Sequence, residues 1–82
     1  MEQNISALSK LAVGDSAVIS KLTCTGEMRR RMMDLGIVPG TKIKALHRSP
    51  CGDPVAYSVL GAVIALRASD ADEIITVKQP LP

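Results

Sequence analysis

Arginines, methionines and glycines are concentrated in residues 29–40, RRRMMDLGIVPG, and these residue types suit several kinds of chemistry. Clustered guanidinium groups bind phosphates or carboxylates, thioethers bind soft metals, and glycine-rich loops hold nucleotides. The two glycines, however, fit neither G-x-x-x-x-G-K-[ST] nor G-x-G-x-x-G, and they follow an apolar repeat instead of preceding one. A helix that ends at these glycines would present partial negative charge, so no nucleotide site is predicted here.

The single histidine, His47, limits both catalysis and metal binding. A hydrolytic triad needs a nucleophile, a base and an orienting group, and His47 with Cys51 and Asp53 supplies at most a Cys/His pair in a strand connection. Zinc sites usually combine two paired ligand motifs, whereas His47 and Cys51 make half of one, with Arg48 between them. The sequence therefore predicts no catalytic residue, no metal ligand and no cofactor. Transition-metal binding at this loop stays open as an alternative.

Positive charge is concentrated in the middle of the chain, since six of the ten basic residues lie between positions 29 and 48. Acidic residues gather near the far end, at Asp70, Asp72 and Glu73. A solvated surface, an acidic protein partner and a nucleic acid all fit such a cluster. Proteins that bind single strands stack bases on aromatic side chains, and Tyr57 is the only aromatic residue. The sequence thus favours the first two, and we expect no nucleic-acid partner.

Length and composition predict one small domain, residues 1–82, with its core at about residues 6–78. A chain of this size buries only about 60% of its unfolded surface, and the absence of Phe and Trp requires an aliphatic core. No secretory signal is visible, and the longest uncharged stretch, Pro54–Leu66, is too short to span a bilayer. We therefore expect a cytoplasmic protein with reduced cysteines and no direct membrane insertion.

One short amphipathic helix is predicted around the arginine cluster. Thr25 is a candidate N-cap, and Gly36 stands where a left-handed C′ residue belongs. Between them, Met28, Met32 and Leu35 recur at i, i+4 and i+7 and predict one buried face. The methionines are interpreted as core residues that fill gaps, not as metal ligands.

The other segments predict short strands joined by turns. A helical turn is expected in Ser6–Leu11 and another in Ser69–Asp72, and Val38-Pro39-Gly40-Thr41 has the pattern of a type II turn. A small, mainly β fold follows, a five-stranded barrel with one short helix. The predicted strands are residues 17–22, 41–46, 55–59, 62–66 and 74–77, with Gly61 at the turn of a hairpin.

Three runs of the sequence together resemble the ferrous-iron transport protein A (FeoA) family: RRRMMDLGIVPGTKIKAL, SPCGDPVAYSVLGAVIALR and SDADEIITV. Their order and spacing are more specific than any one of them, and the resemblance covers about residues 6–78. It implies an SH3-like β-barrel with a small helix. The matching residues are Leu8, Leu11, Gly14, Val18, Arg31, Asp34, Leu35, Gly36, Ile37, Pro39, Gly40, Pro50, Gly52, Asp53, Pro54, Gly61, Ala65, Leu66 and Arg67.

The same resemblance implies a function and a partner. Such a chain is similar to small, cytoplasmic, non-enzymatic accessory proteins of bacterial ferrous-iron uptake. These are expected to dock on the cytoplasmic part of ferrous-iron transporter B, a membrane protein with a GTP-binding domain, and to modulate it. The alternative is a regulatory SH3-like domain of the iron-dependent repressor type, which would sense metal or bind a peptide.

Two sets of residues are predicted to carry these roles. Exposed basic or apolar residues beside the helix and the first hairpin are expected to contact the partner, namely Arg29, Arg30, Met33, Lys42 and Lys44. Turn residues are expected to hold the fold, namely Gly36, Pro39, Gly40, Gly52, Asp53 and Gly61. Arg31 has two interpretations: an arginine finger that enters a partner's active site, or a brace of the barrel that pairs with Asp34 or Asp53. The docking face and the oligomeric state are not predicted.

Overall fold

The structure, a computed structural model, describes residues 5–78. Within this range strands dominate, with two α-helices and one 3₁₀ turn. The strands are β1 (Ile5–Ala7), β2 (Ser16–Leu22), β3 (Lys42–Arg48), β4 (Val55–Val59), β5 (Ala62–Leu66) and β6 (Ile74–Lys78). The helices are α1 (Gly26–Asp34) and α2 (Ala68–Ala71), and the 3₁₀ turn is Leu8–Lys10.

All the strands form one antiparallel sheet in the order β1-β6-β2-β3-β4-β5. β1 pairs with β6, so the first and last described strands are neighbours. The register shifts between Ile19 and Lys21 in β2 and between Ala45 and His47 in β3. Because such irregularities bend a strand and increase its twist, they help the sheet to curl around its core.

The buried face of the sheet is aliphatic, as the composition requires. On β3, Ile43 and Ala45 are buried while Lys42 and Lys44 are exposed, the alternation typical of a strand with one solvated face. Tyr57, the only aromatic residue, is 2% exposed at the centre of β4. The largest fully buried side chains are those of Leu8, Ile19, Met32, Ile37, Ile43, Tyr57, Val59, Ile74 and Thr76.

Helix α1 ends in a Schellman motif, which fixes the chain direction into the following turn. The Ile37 N–H donates to the Met32 carbonyl at 2.9 Å and the Gly36 N–H donates to the Met33 carbonyl at 3.0 Å. Gly36 has φ +92°, the left-handed conformation that the motif requires. Thr25 occupies the N-cap position with extended backbone, but its hydroxyl makes no capping hydrogen bond.

Two further turns lead into strands, one before β3 and one between β4 and β5. The Thr41 N–H donates to the Val38 carbonyl at 3.1 Å, and Gly40 has φ +94°. Between β4 and β5, Leu60 and Gly61 have φ values of 50° and 82°, so the hairpin has a two-residue turn of type I′.

The structure differs from the sequence-based expectations in two places and agrees with them in a third. The sheet has a sixth strand, β1, because residues 5–7 pair with β6 and only residues 8–10 form the helical turn expected over Ser6–Leu11. The helical turn predicted near Ser69 is confirmed, since the short helix α2 lies there. Leu35, predicted to be buried, is 39% exposed, because it is the C-cap residue where α1 turns away.

No helix among residues 5–78 combines the length and the hydropathy that a membrane-crossing segment needs.

Candidate functional site

The predicted contact residues of α1 share one surface. Arg29, Arg30 and Met33 line an open depression of about 400 Å³, together with Gly26 and Asp34. Residues four apart face the same way on a helix, so Arg29 lies beside Met33 and Arg30 beside Asp34. Met33 is 45% exposed. We refer to this surface, defined by these lining residues, as the α1 depression.

Arg29 has a structural contact that sequence reasoning missed. Its Nη1 donates a hydrogen bond to the Leu22 carbonyl oxygen at 3.3 Å, which ties the start of α1 to the end of β2. No local pattern signals this bond, because it joins residues on two different elements. Arg30 is exposed on the same helix, which makes it the better probe of binding since its removal leaves the Leu22 contact intact.

Lys42 and Lys44 line a second open groove of about 450 Å³, together with Ser16, Ser58 and Leu60. We refer to it as the lysine groove. Strand register explains its composition, since Lys44 lies opposite Ser16 on β2 and opposite Ser58 on β4. The five predicted contact residues therefore fall into two separately lined groups.

The lysine groove suits a ligand that is acidic and partly apolar. None of its lining residues is acidic, and the two ammonium groups stand on alternate residues of one strand face. Ammonium groups form strong hydrogen bonds with carboxylates, and the serine hydroxyls of the groove can also donate. Leu60, 76% exposed, adds an apolar end. The α1 depression is different, because Asp34 offsets part of its positive charge.

Leu60 connects the groove to the end of α1, and its exposure was not predicted. A Cβ atom added at Gly36 would lie 2.7 Å from Leu60 Cδ1, so this side chain rests against the glycine of the Schellman motif. Type I′ turns favour Asn, Asp or Gly where Leu60 stands. A leucine at such a position is the sequence signal that could have identified it.

The loop between β3 and β4 has a structural role in this arrangement. Asp53 Oδ1 accepts a hydrogen bond from the Ala68 N–H at 2.7 Å, which links the loop to the first turn of α2. Arg48 Nη1 donates to the Gly52 carbonyl at 3.2 Å, and Gly52 has φ +90°. The expected pairing of Arg31 with Asp34 or Asp53 is wrong, because the only ion pair within residues 5–78 joins Lys78 Nζ to Asp15 Oδ2 at 2.9 Å.

The histidine and cysteines considered for catalysis or metal binding do not come together in one site. His47 and Cys51 are exposed, whereas Cys24 is buried, and both thiols are free. Among the described residues, no three His, Cys, Asp or Glu side chains come together as a metal-ligand set. Burial raises the pKa of the Tyr57 phenol, an effect that the Arg48 charge partly opposes and the Asp53 charge slightly reinforces.

Comparison with known proteins identifies related sequences. A family model described as the FeoA domain matches residues 7–78. A curated protein of Porphyromonas gingivalis, an Fe(2+) transport protein A/Fe(2+) transporter FeoB fusion protein, is 37% identical over 67 residues. The match covers 82% of this chain, but the chain spans only 8% of that relative.

Solved structures extend the likeness to the fold. The solution structure of the FeoA protein from Chlorobium tepidum is 36% identical, with a TM-score of 0.80, over 87% of this chain and 69% of that chain. The Stenotrophomonas maltophilia FeoA structure, described as a prokaryotic SH3 domain protein complexed with zinc, is 28% identical, with a TM-score of 0.76, over 85% of this chain and 87% of that chain. The predicted mainly β, SH3-like fold class is thereby confirmed.

The regulatory alternative has a structural counterpart at the level of fold. A manganese-dependent transcriptional repressor in complex with manganese gives a TM-score of 0.83 over 93% of this chain and 37% of that chain. Its sequence identity is 19%, so the likeness concerns the SH3-like architecture alone.

Proposed function

This chain belongs to the FeoA family, as its sequence resemblance indicated, and we propose that it is a small accessory protein of bacterial ferrous-iron uptake. We infer that the protein is cytoplasmic and not an enzyme, and that it acts by binding a partner. The family match over residues 7–78 supports treating this range as the core of one domain.

The observation that carries the proposal is the fusion protein of Porphyromonas gingivalis, which joins a transport protein A segment to a FeoB transporter in one polypeptide. Covalent fusion keeps two segments at high effective concentration, which is useful when they act together. We infer that the present chain associates as a separate polypeptide with a FeoB-type transporter. It docks on the cytoplasmic part of this transporter and modulates transport.

The lysine groove supports this docking role more directly than the α1 depression does. Lys42 and Lys44 offer two ammonium groups without a lining carboxylate, and exposed Leu60 offers apolar contact area. Exposed Arg30 and Met33 add a second contact on α1. Interfaces commonly combine an apolar anchor with charged groups that select the partner and speed its approach.

The first test is a pull-down with the purified cytoplasmic domain of the FeoB transporter, with and without a non-hydrolysable GTP analogue. We expect retention of the wild-type chain and loss of retention for Lys42→Glu/Lys44→Glu. The matched control is Lys10→Glu/Lys21→Glu, which makes the same charge change at two exposed lysines that do not line the groove.

Absence of retention in both nucleotide states, with folding shown by circular dichroism, would contradict docking on the cytoplasmic domain. Equal loss in both double variants would contradict the groove as the contact surface, because only total charge would then matter. The regulatory alternative rests on likeness of fold and predicts instead that metal or a peptide binds the isolated chain.

A further inference from the structure

The hairpin of β4 and β5 carries unusually exposed apolar residues. Leu60 is 76% and Val63 is 66% exposed, the highest values among the large apolar side chains of residues 5–78. Strand β5, AVIAL, contains neither a charged residue nor a proline, and it stands at one end of the strand order. Natural proteins usually protect such an edge with a lysine, a proline or a covering segment.

The hairpin geometry determines which backbone groups of β5 face away from β4. In a two-residue hairpin the residues that flank the turn exchange both hydrogen bonds, here Val59 and Ala62. Hydrogen-bonded pairs then alternate along an antiparallel ladder, so Ile64 and Leu66 also bond to β4. The N–H and C=O groups of Val63 and Ala65 consequently point outward, and no strand within residues 5–78 pairs with them.

We propose that β5 is a dimerisation edge, where it pairs antiparallel with β5 of a second copy of this chain about a two-fold axis at Ile64. In this register Val63 of one copy lies opposite Ala65 of the other, and all four outward groups on each strand find partners. The two sheets become one continuous sheet. Ile64, which is half-buried against the core, is covered by its counterpart.

Charge favours a second copy as the occupant of this edge. The chain has a net charge of +2, and its exposed cations on α1 and β3 would repel an identical surface. Strand β5 is uncharged, so two copies that meet along it bring no like charges into opposition. Cross-strand pairs between Val63 and Ala65 are apolar on both sides, and such pairs stabilise a sheet.

The dimer is expected to be weak, because one short strand buries less surface than the roughly 1,600 Å² of a standard interface. A dissociation constant between about 0.1 mM and 1 mM is expected for such a contact. Sedimentation of the full chain at about 10 µM and about 1 mM therefore spans the transition from monomer to dimer. Monomer at both concentrations would overturn the proposal.

The first variant removes an edge donor without touching the ladder of the hairpin. Ala65→Pro deletes an N–H that points away from β4, and proline is tolerated on edge strands for this reason. We expect a dissociation constant raised roughly tenfold, with the circular dichroism spectrum unchanged. The control is Val13→Lys, which changes an exposed valine outside the sheet and should associate as the wild type does. Unchanged association of a folded Ala65→Pro would contradict pairing at β5.

Two charge variants test the register itself and do not depend on proline being tolerated. Val63→Lys/Ala65→Lys places like charges opposite each other across the axis. We expect its dissociation constant to be roughly tenfold higher than that of the wild type. Val63→Lys/Ala65→Glu places opposite charges in the same positions and should restore association. Equal weakening in both double variants would overturn the two-fold axis at Ile64.

Amide hydrogen exchange gives an independent reading. The amides of Ile64 and Leu66 bond to β4 in one copy, so their protection should not depend on concentration. The amides of Val63 and Ala65 should become protected only at high concentration. Protection of all these amides at both concentrations, or of none of them, would be inconsistent with a β5 pair.

Discussion

Gly36 and Gly40 have nearly the same backbone conformation, φ +92° and +94°, but different surroundings. An alanine at either position adds a β-carbon to a left-handed residue, at a cost of about 1–2 kcal/mol. At Gly36 that carbon also meets Leu60 Cδ1 at 2.7 Å, whereas nothing lies within 4 Å at Gly40. The comparison therefore separates backbone strain from steric conflict.

We predict that Gly36→Ala destabilises the protein more than Gly40→Ala does, as measured by chemical unfolding. The excess should be modest, because Leu60 is exposed and can rotate. In a Leu60→Ala background the two glycine variants should cost the same. A persistent excess there would show that some group other than Leu60 opposes the new β-carbon.

Tyr57 provides a pH-dependent prediction. Burial raises its pKa above the unfolded value of about 10, so the folded protein favours the neutral phenol. The resulting stabilisation is present below that value and is lost as pH rises through the folded-state pKa. We expect the free energy of unfolding to fall more steeply at alkaline pH in the wild type than in Tyr57→Phe.

The difference between these two proteins is the quantity to measure, because lysines and cysteines titrate in both. Tyrosinate absorbance adds a direct check, since Tyr57 is the only tyrosine. A titration midpoint no higher than that of the unfolded chain would contradict the effect of burial.

At the scale of elements, α1 buries one of its methionines completely and exposes the neighbouring methionine to solvent. Met32 is 2% exposed and its carbonyl accepts the Schellman bond from Ile37, while the neighbouring Met33 is 45% exposed. We predict that Met32→Ala costs about 2–5 kcal/mol of stability, the range typical of a buried methionine. Met33→Ala should change stability by less than about 0.5 kcal/mol, as expected for a surface residue.

The two variants should have the opposite ranking in partner binding, where Met33→Ala should have the larger direct effect. Met33→Ala is expected to weaken retention by the transporter domain at unchanged stability. Met32→Ala should affect binding only as far as it unfolds the protein. Loss of stability in Met33→Ala would mean that this residue packs on the core and is not a free contact.

The elements predicted well from sequence were those with strong local signals. Alternation of Ile43 and Ala45 with two lysines predicted β3, and Gly36 and Gly40 marked turns because few other residues adopt positive φ. Strand β1 was missed because three residues give no measurable period, and its pairing partner lies about 70 positions away. The register shifts in β2 and β3 have no local signature either.

The candidate site was less predictable than the fold. Lys42 and Lys44 could be placed on one strand face from their spacing, but the serines beside them come from neighbouring strands. The Arg29 bond to Leu22 and the contact of Leu60 with Gly36 depend on how elements pack. Such contacts between distant residues leave no trace in a single sequence.

At the scale of the whole molecule, side-chain hydrogen bonds link two residues of the first third of the chain to the segment that follows α2. Ser9 donates to Asp72 and Thr23 donates to Glu73, contacts that span 63 and 50 positions. Asp70 lies in α2, and Asp72 and Glu73 follow it directly. The side chains of Asp72 and Glu73 both accept these hydrogen bonds. Within residues 5–78, the exposed cations of α1 and β3 form no ion pair with these carboxylates.

This uneven charge predicts how the chain should approach the proposed transporter partner. Electrostatic attraction mainly accelerates association and is screened by salt, whereas buried contacts mainly slow dissociation. We expect the association rate with the transporter's cytoplasmic domain to fall as salt rises, and Lys42→Glu/Lys44→Glu to lower it roughly tenfold at low salt. In stopped-flow measurements, Lys10→Glu/Lys21→Glu should have a smaller effect despite the same net charge. Equal slowing by both pairs would mean that total charge, and not the lysine groove, guides the encounter.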